Sequence, residues 1–360
     1  MLKPRQAVLN MPSYHPPLAG RQGMRLDFNE NTDACSPRVL QRLQRLSADD
    51  LVKYPEREPL EAVIAEFLNV TPGEVLLTNG VDEAIHLLCQ AYLDPEDEAV
   101  IVVPAYSMYA VYVAATGAEL VRVRAGKDFS FPLRDVKNSI SRRTRLIAIA
   151  NPNNPTGRVA RCEELVEIAR SAPDALLLVD EAYFEFYGKT MLDYRNEARN
   201  VLVARTFSKA YGMAGLRLGV LIGDEDQIRG LRRVASPYNV NAVALACLPD
   251  ALEDHAYIQE YVHEVREGRA RLEQALNSAG VQYWPSEANF VLLRAGQSKA
   301  DAANFVEQMR QRGILVRDRS ADEGCEGCVR VTLGRRQVMD RLLLALTSVL
   351  ENFPQGVSPR

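Results

Sequence analysis

Five short runs of apolar residues, spaced through the middle of the chain, constrain the fold more than any other feature of this sequence. They are Ala99–Val103, Leu146–Ala150, Ala175–Val179, Val201–Ala204 and Leu218–Ile222. None shows the alternation of a strand with one wet face, and amphipathic stretches such as Cys162–Arg170 lie between several of them. Strands that are apolar throughout are buried on both faces, and helices between them imply crossover connections. The pattern therefore predicts a largely parallel sheet covered on both sides. Val75–Leu77 adds a further candidate strand. Beyond Asn241 the chain reads as helical to about Ser278. Short strands at Phe290–Leu293, Gly313–Val316 and Val329–Leu333 then alternate with helical segments, as in a smaller α+β unit.

A chain of 360 residues exceeds what one small core needs, and 47% apolar residues suffice for folded domains. The sequence divides into an N-terminal arm (residues 1–25), a large domain (26–260) and a small C-terminal domain (261–360) that takes in part of the N-terminal segment. Within the arm, Met11–Pro17 cannot be helical, because its prolines lack the amide donor. A formal net charge of −4 and the lack of a basic tract argue against nucleic acid. No apolar run reaches membrane-spanning length and no signal-peptide core opens the chain, so the expectation is a cytoplasmic protein. The six cysteines are scattered. Cys325-Glu326-Gly327-Cys328 is a lone C-x-x-C with few histidines elsewhere, so neither a zinc site nor a disulfide framework is expected and the pair reads as reduced.

Ligands of open parallel sheets bind beyond the carboxyl ends of the strands, and there the polar residues collect. Leu146–Ala150 runs into Asn151-Pro152-Asn153-Asn154-Pro155-Thr156-Gly157, and Ala175–Val179 into Asp180-Glu181-Ala182-Tyr183. Val201–Ala204 runs into Arg205-Thr206-Phe207-Ser208-Lys209, which continues to Arg217. Val75–Leu77 leads to Thr78-Asn79-Gly80-Val81-Asp82-Glu83. Each segment alone has a structural explanation: turn chemistry for the asparagines and prolines, a helix cap for Asp180, a plain strand-to-helix turn at Gly80. Four of them opening on one rim favour a site. A lysine there can form an imine with an aldehyde cofactor, while Thr206, Ser208 and Arg217 can hold a phosphate. Neither G-x-G-x-x-G nor G-x-x-x-x-G-K-[ST] occurs, so dinucleotide and P-loop readings lack their signature.

With these motifs, and with Asn29-Glu30-Asn31, Tyr54-Pro55-Glu56, Pro104-Ala105-Tyr106 and Val329-Arg330-Val331-Thr332, the chain resembles class I/II aminotransferases of fold type I that depend on pyridoxal phosphate. Within them it is most similar to the histidinol-phosphate aminotransferases, from about Tyr14 to Leu346. The resemblance implies a large, mostly parallel α/β/α sheet domain with a small C-terminal α+β domain. It implies that Lys209 carries the cofactor and moves the substrate proton, with Asp180 on the pyridine nitrogen. Asn154 and Tyr183 would meet the phenolic oxygen, and Tyr106 would stack on the ring. The amides of Val81, Asp82 and Glu83 would hold the phosphate with Thr206, Ser208 and Arg217, the Asp82 and Glu83 carboxylates pointing away or capping the helix. Tyr54 would reach in from the partner subunit of a homodimer. On the substrate side the resemblance implies Tyr14, Asn29, Arg317 and Arg330. Arg330 would take a carboxylate or a phosphate and Arg317 would add a second phosphate contact, although Arg317 could instead pair with Asp318 or Asp322. The sequence departs from the family pattern where Thr32 follows Asn31 and Val81 follows Gly80. The reaction implied joins L-histidinol phosphate with 2-oxoglutarate. Two others stay open: transamination of an aromatic amino acid, and decarboxylation of a phosphorylated amino acid.

Overall fold

The structure, a computed structural model, describes residues 2–11, 20 and 22–350. Seven strands form the central sheet in the spatial order 75–78, 219–222, 201–206, 176–180, 144–150, 98–103, 119–124. All neighbours run parallel except at Gly219–Ile222, which is antiparallel to the strands on both sides of it. Alternate residues of the inner strands enter two separate cores. Ile147, Ile149, Leu177, Val179, Val201 and Val203 belong to one, and Leu146, Ala148, Leu176, Leu178, Leu202 and Ala204 to the other. Each fully buried aliphatic side chain contributes about 1.5–3 kcal/mol relative to exposure, so both faces hold their helices. This is the expected double-sided α/β sheet. The edge strand Val75–Thr78 has its outer amides covered: buried Glu61 accepts from Leu77 N at 3.0 Å and pairs with Arg57 and Arg232.

A second, antiparallel sheet has the order 317–318, 328–332, 290–294, 283–284. The helices Ala242–Glu253 and His255–Ser278 precede it in the chain. Residues 24–26 are stitched beside this sheet. Met24–Arg25 pairs parallel with Ile314–Leu315, and Thr332 N donates to Leu26 O at 2.9 Å. This places the 27–30 segment between the carboxyl rim of the large sheet and the strand that carries Arg330. Cys325 and Cys328 are both free thiols, buried against Phe129, Trp284 and Leu292. No helix among the described residues is long and apolar enough to cross a membrane.

Candidate active site

A cavity of ≈ 450 Å³ opens between the carboxyl rim of the large sheet and the small sheet. Of the residues singled out in the sequence, it is lined by Asn29, Val81, Asp82, Tyr106, Asn154, Asp180, Tyr183, Thr206, Ser208, Lys209, Arg217, Arg317 and Arg330. Tyr54 and Glu83 are elsewhere, and Tyr14 lies outside the described residues.

Strand alternation sorts the rim residues. Thr206 and Asp180 reach the cleft, whereas Arg205 and Glu181 point behind it, paired at 3.0 Å. Lys209 follows the Val201–Thr206 strand and donates from Nζ to Phe28 O at 3.2 Å. Desolvation, with Arg330 next, pulls its ammonium down to about 8. Asp180 closes the neighbouring strand and is buried. Its Oδ2 accepts from Tyr109 Oη at 2.6 Å and its Oδ1 from Ala182 N at 3.0 Å. Burial raises its carboxyl to about 6, and the Tyr109 bond opposes that rise. At neutral pH Asp180 is a carboxylate able to hold a proton on a facing ring nitrogen.

The three asparagines after Ala150 have separate tasks. Asn151 locks the loop by exchanging bonds with the Ala160 backbone, and Asn153 donates to Pro104 O. Only Asn154 faces the cleft, where its Oδ1 accepts from Arg330. Asn29 sits in the left-handed region at φ 55 and donates to Tyr183 Oη at 2.9 Å. Its backbone N donates to Thr332 Oγ1 and its Oδ1 accepts from Thr332, so it braces Tyr183 against the small sheet.

The helix Gly80–Tyr92 opens at the rim. Its N-cap is Asn79, so the amides of Gly80, Val81 and Asp82 have no intrahelical acceptor, whereas Glu83 is the first residue past them. Two expectations need correction here. The Asp82 carboxylate turns into the cleft, meeting Arg217 Nη2 at 3.1 Å and accepting from Tyr106 Oη at 2.8 Å. The attraction of the guanidinium and the positive helix end together explain that orientation. Glu83 is not a cleft residue: its carboxylate accepts from Asn79 N at 2.6 Å and from Asn239 Nδ2, capping the helix.

Arg217, itself left-handed at φ 56, approaches so closely that a Cβ on Gly80 would stand 2.7 Å from its Nη2. Its Nη1 donates to Ser208 Oγ at 3.4 Å, and Thr206 Oγ1 accepts from Ser208 N at 3.1 Å. Helix amides, two hydroxyls and a guanidinium converge where only a glycine fits. The cradle suits the phosphate of the expected cofactor, and Lys209 and Asp180 suit its aldehyde and its ring nitrogen.

Arg317 and Arg330 are register partners on adjacent antiparallel strands. Arg330 is buried and donates from Nη2 to Asp27 O at 2.7 Å. Burial, with Arg319 the next cause, pulls its guanidinium down to about 9. Arg317 lies over the Phe28 ring at 5.2 Å. Asp322 is paired with Arg319, and Asp318 Oδ1 accepts from Ser320 N at 2.7 Å.

Residues 21–346 match the family described as aminotransferase class I and II. The chain belongs to that family. "Histidinol-phosphate aminotransferase" from Thermoanaerobacter sp. (strain X514) is 34% identical over 331 residues, which cover 91% of this chain and 93% of that one. The protein of the same description from Moorella thermoacetica is 32% identical, covering 97% and 93%. The crystal structure of histidinol-phosphate aminotransferase from Sinorhizobium meliloti in complex with pyridoxal-5′-phosphate superposes with a TM-score of 0.87 at 26% identity, over 96% of this chain and 97% of that one. The fold is thus the type I fold of aminotransferases dependent on pyridoxal phosphate.

Three residues of this aminotransferase's cleft escaped the sequence reading. Tyr109 is the hydroxyl on Asp180; its place three residues after Tyr106, closed by a turn in which Tyr109 N donates to Tyr106 O at 3.3 Å, was the available signal. Phe28 O, the partner of Lys209, carries none, because any residue has a carbonyl. Arg319 lines the cavity beside Arg317. The spacing Arg317-Asp318-Arg319 puts both arginines on one face of an extended chain. Tyr54 is 76% exposed and stacks on Tyr238 with centroids 4.2 Å apart, outside the cleft.

Proposed function

We propose that the chain transfers the amino group of L-histidinol phosphate to 2-oxoglutarate, using pyridoxal phosphate and working as a homodimer. The observation that carries this reading is the facing pair Arg317 and Arg330, which shares one cleft with Lys209 and Asp180. Residues 26–260 would form the cofactor-binding domain and 261–360, with part of the N-terminal segment, the domain that grips the substrate anion.

The cofactor, when bound, supplies an aldehyde carbon for the amino group and a ring that accepts the electron pair left when the donor's Cα–H bond breaks. The protein supplies the rest. Gly80, Val81 and Asp82 amides, Thr206, Ser208 and Arg217 hold the phosphate. Asp180 keeps a proton on the ring nitrogen, and Tyr109 keeps Asp180 ionised. Tyr106 covers the ring face, while Asn154 and Tyr183 steady the phenolic oxygen. Lys209 would take the proton from the donor's Cα and deliver it to the cofactor's aldehyde carbon, on the far side of the nitrogen that joins them. An amine lowered to about 8 is neutral often enough near physiological pH to act as that base. Arg330 orients the donor by its anion, a carboxylate for glutamate and a phosphate for histidinol phosphate, with Arg317 joining for the latter. Tyr54 is assigned to the dimer contact, reaching the neighbouring subunit's cofactor.

The test mixes the purified yellow protein with L-histidinol phosphate alone and follows visible absorbance. Rapid bleaching at low concentration, restored by 2-oxoglutarate, is the expected result. Bleaching by phenylalanine only would move the assignment to aromatic amino acids. Release of carbon dioxide without need of a keto acid would make the protein a decarboxylase. Lys209→Ala should abolish steady-state turnover without unfolding the chain.

A further inference from the structure

The anion end of the cleft holds a third guanidinium. Arg319 continues the edge of the small sheet, its N donating to Cys328 O at 3.0 Å, and its side chain is only 13% exposed. Its Nη2 pairs with Asp322, which the turn between them brings back alongside: Asp322 N donates to Arg319 O at 2.9 Å. Arg317 Nη1, Arg319 Nε and Arg330 Nε are all buried without a hydrogen-bond acceptor. Buried donors are normally satisfied, because an unpaired one forfeits its hydration for nothing. Three on three guanidiniums around one cavity therefore point to a ligand with several acceptor oxygens.

The charges are informative as well. Three guanidiniums and the Asp322 carboxylate leave two positive charges, which matches a phosphomonoester dianion. A single carboxylate, such as the one beside the amino group of glutamate, needs one. Beside the Gly80 helix start, Arg217 is paired with Asp82, so that arginine adds nothing to the charge at this end of the cleft. Arg330 also carries bonds to Asp27 O and Asn154, which fix it for either anion. Arg319, whose side chain pairs with Asp322 alone among the described residues, is the member free to add discrimination.

We propose that Arg319 is a specificity-determining residue. With Arg317 and Arg330 it forms a three-guanidinium pocket, trimmed by Asp322, that takes a phosphomonoester dianion and gives little to a donor bearing only a carboxylate. This rests on the reading of the cleft as an aminotransferase site for a phosphorylated donor.

The experiment uses the holoenzyme, so that the cofactor site is filled, and compares wild type with Arg319→Gln and Arg319→Lys. Four quantities are measured: the Kd of methyl phosphate by calorimetry, KM and kcat with L-histidinol phosphate, and the rate of the half-reaction with L-glutamate. Arg319→Gln should weaken methyl phosphate and raise KM for the phosphorylated donor by about tenfold or more, as for loss of a charge-assisted hydrogen bond. Both kcat and the glutamate half-reaction should stay within about twofold, and Arg319→Lys should recover part of the methyl phosphate affinity as a point charge without the planar fork. Unchanged methyl phosphate binding in Arg319→Gln would overturn the proposal, as would an equal loss for glutamate, the mark of a merely structural role. Wild-type protein that binds methyl phosphate through Arg319 yet ignores histidinol phosphate would refute the substrate reading and leave this one standing.

Discussion

Arg317 and Arg330 stand directly opposite each other across two antiparallel strands, and each keeps a buried N–H without an acceptor. Like charges in that position destabilise a sheet by roughly 0.2–1 kcal/mol, and a fold has no structural reason to adopt them. Function and stability should therefore separate in Arg317→Gln. The KM for L-histidinol phosphate should rise about 10- to 100-fold, the range for a lost charge-assisted contact. The midpoint of thermal unfolding, measured without phosphate, should hold or rise by about a degree or two. A fall of several degrees would mean that Arg317 is part of the scaffold.

Tyr109 makes a similar trade with Asp180. Asp180 is raised to about 6 by burial, and the Tyr109 hydroxyl restrains the rise. A carboxyl with a raised pKa is ionised above that value and protonated below it, so its hold on a protonated ring nitrogen is present at neutral pH and is lost as pH falls through about 6. Tyr109→Phe should move that loss upward by about one pH unit, since a hydrogen bond to a charged group contributes about 1.5 kcal/mol or more. Cofactor affinity measured from pH 5 to 8 reads this directly. An unmoved midpoint would show that the hydroxyl does not tune Asp180.

The parts of this molecule legible from sequence are those whose physics is local. Ile147, Leu177 and Val203 lie in runs with no polar face, and a strand buried on both sides leaves that mark. Asp180 and Lys209 stand one or a few residues past such runs, so the rim followed once the strands were recognised. The edge strand Glu119–Arg124 left a weaker mark. One of its flanks has no neighbouring strand among the described residues, and Glu119, Arg122 and Arg124 along it are exposed. The direction of Asp82 was illegible for another reason: it depends on Arg217, which lies 135 positions away in the chain. Arg319 was passed over because a charged residue at the end of a short strand is ordinarily solvated, and its burial is set by strands that meet only in the folded protein.

The amine of Lys209 offers a test that needs no substrate. Desolvation and the nearby Arg330 bring it down to about 8. The neutral amine is the nucleophile, so in protein stripped of cofactor the rate of combination with pyridoxal phosphate should rise about tenfold per pH unit below 8 and level off above it. Arg330→Gln removes a positive neighbour and should move the levelling point upward. A rate still climbing tenfold per unit beyond pH 9 would place Lys209 near the ordinary lysine value.

Gly80 tests the cradle without replacing a charged group. At φ +74 the backbone is where side chains are strained, and a Cβ there would stand 2.7 Å from Arg217 Nη2. The guanidinium is the flexible end of a long side chain, so it can retreat, but retreat takes it off the phosphate. Gly80→Ala should therefore lose about 1–2 kcal/mol of stability from the left-handed backbone. It should also lose about tenfold in affinity for pyridoxal phosphate, the weight of one charge-assisted bond. Pyridoxal, which lacks the phosphate, separates the two effects: its affinity should change little, because Lys209 and Asp180 are undisturbed. Equal losses for both compounds would mean that the substitution distorts the rim as a whole, and would remove the Gly80 turn from the phosphate site.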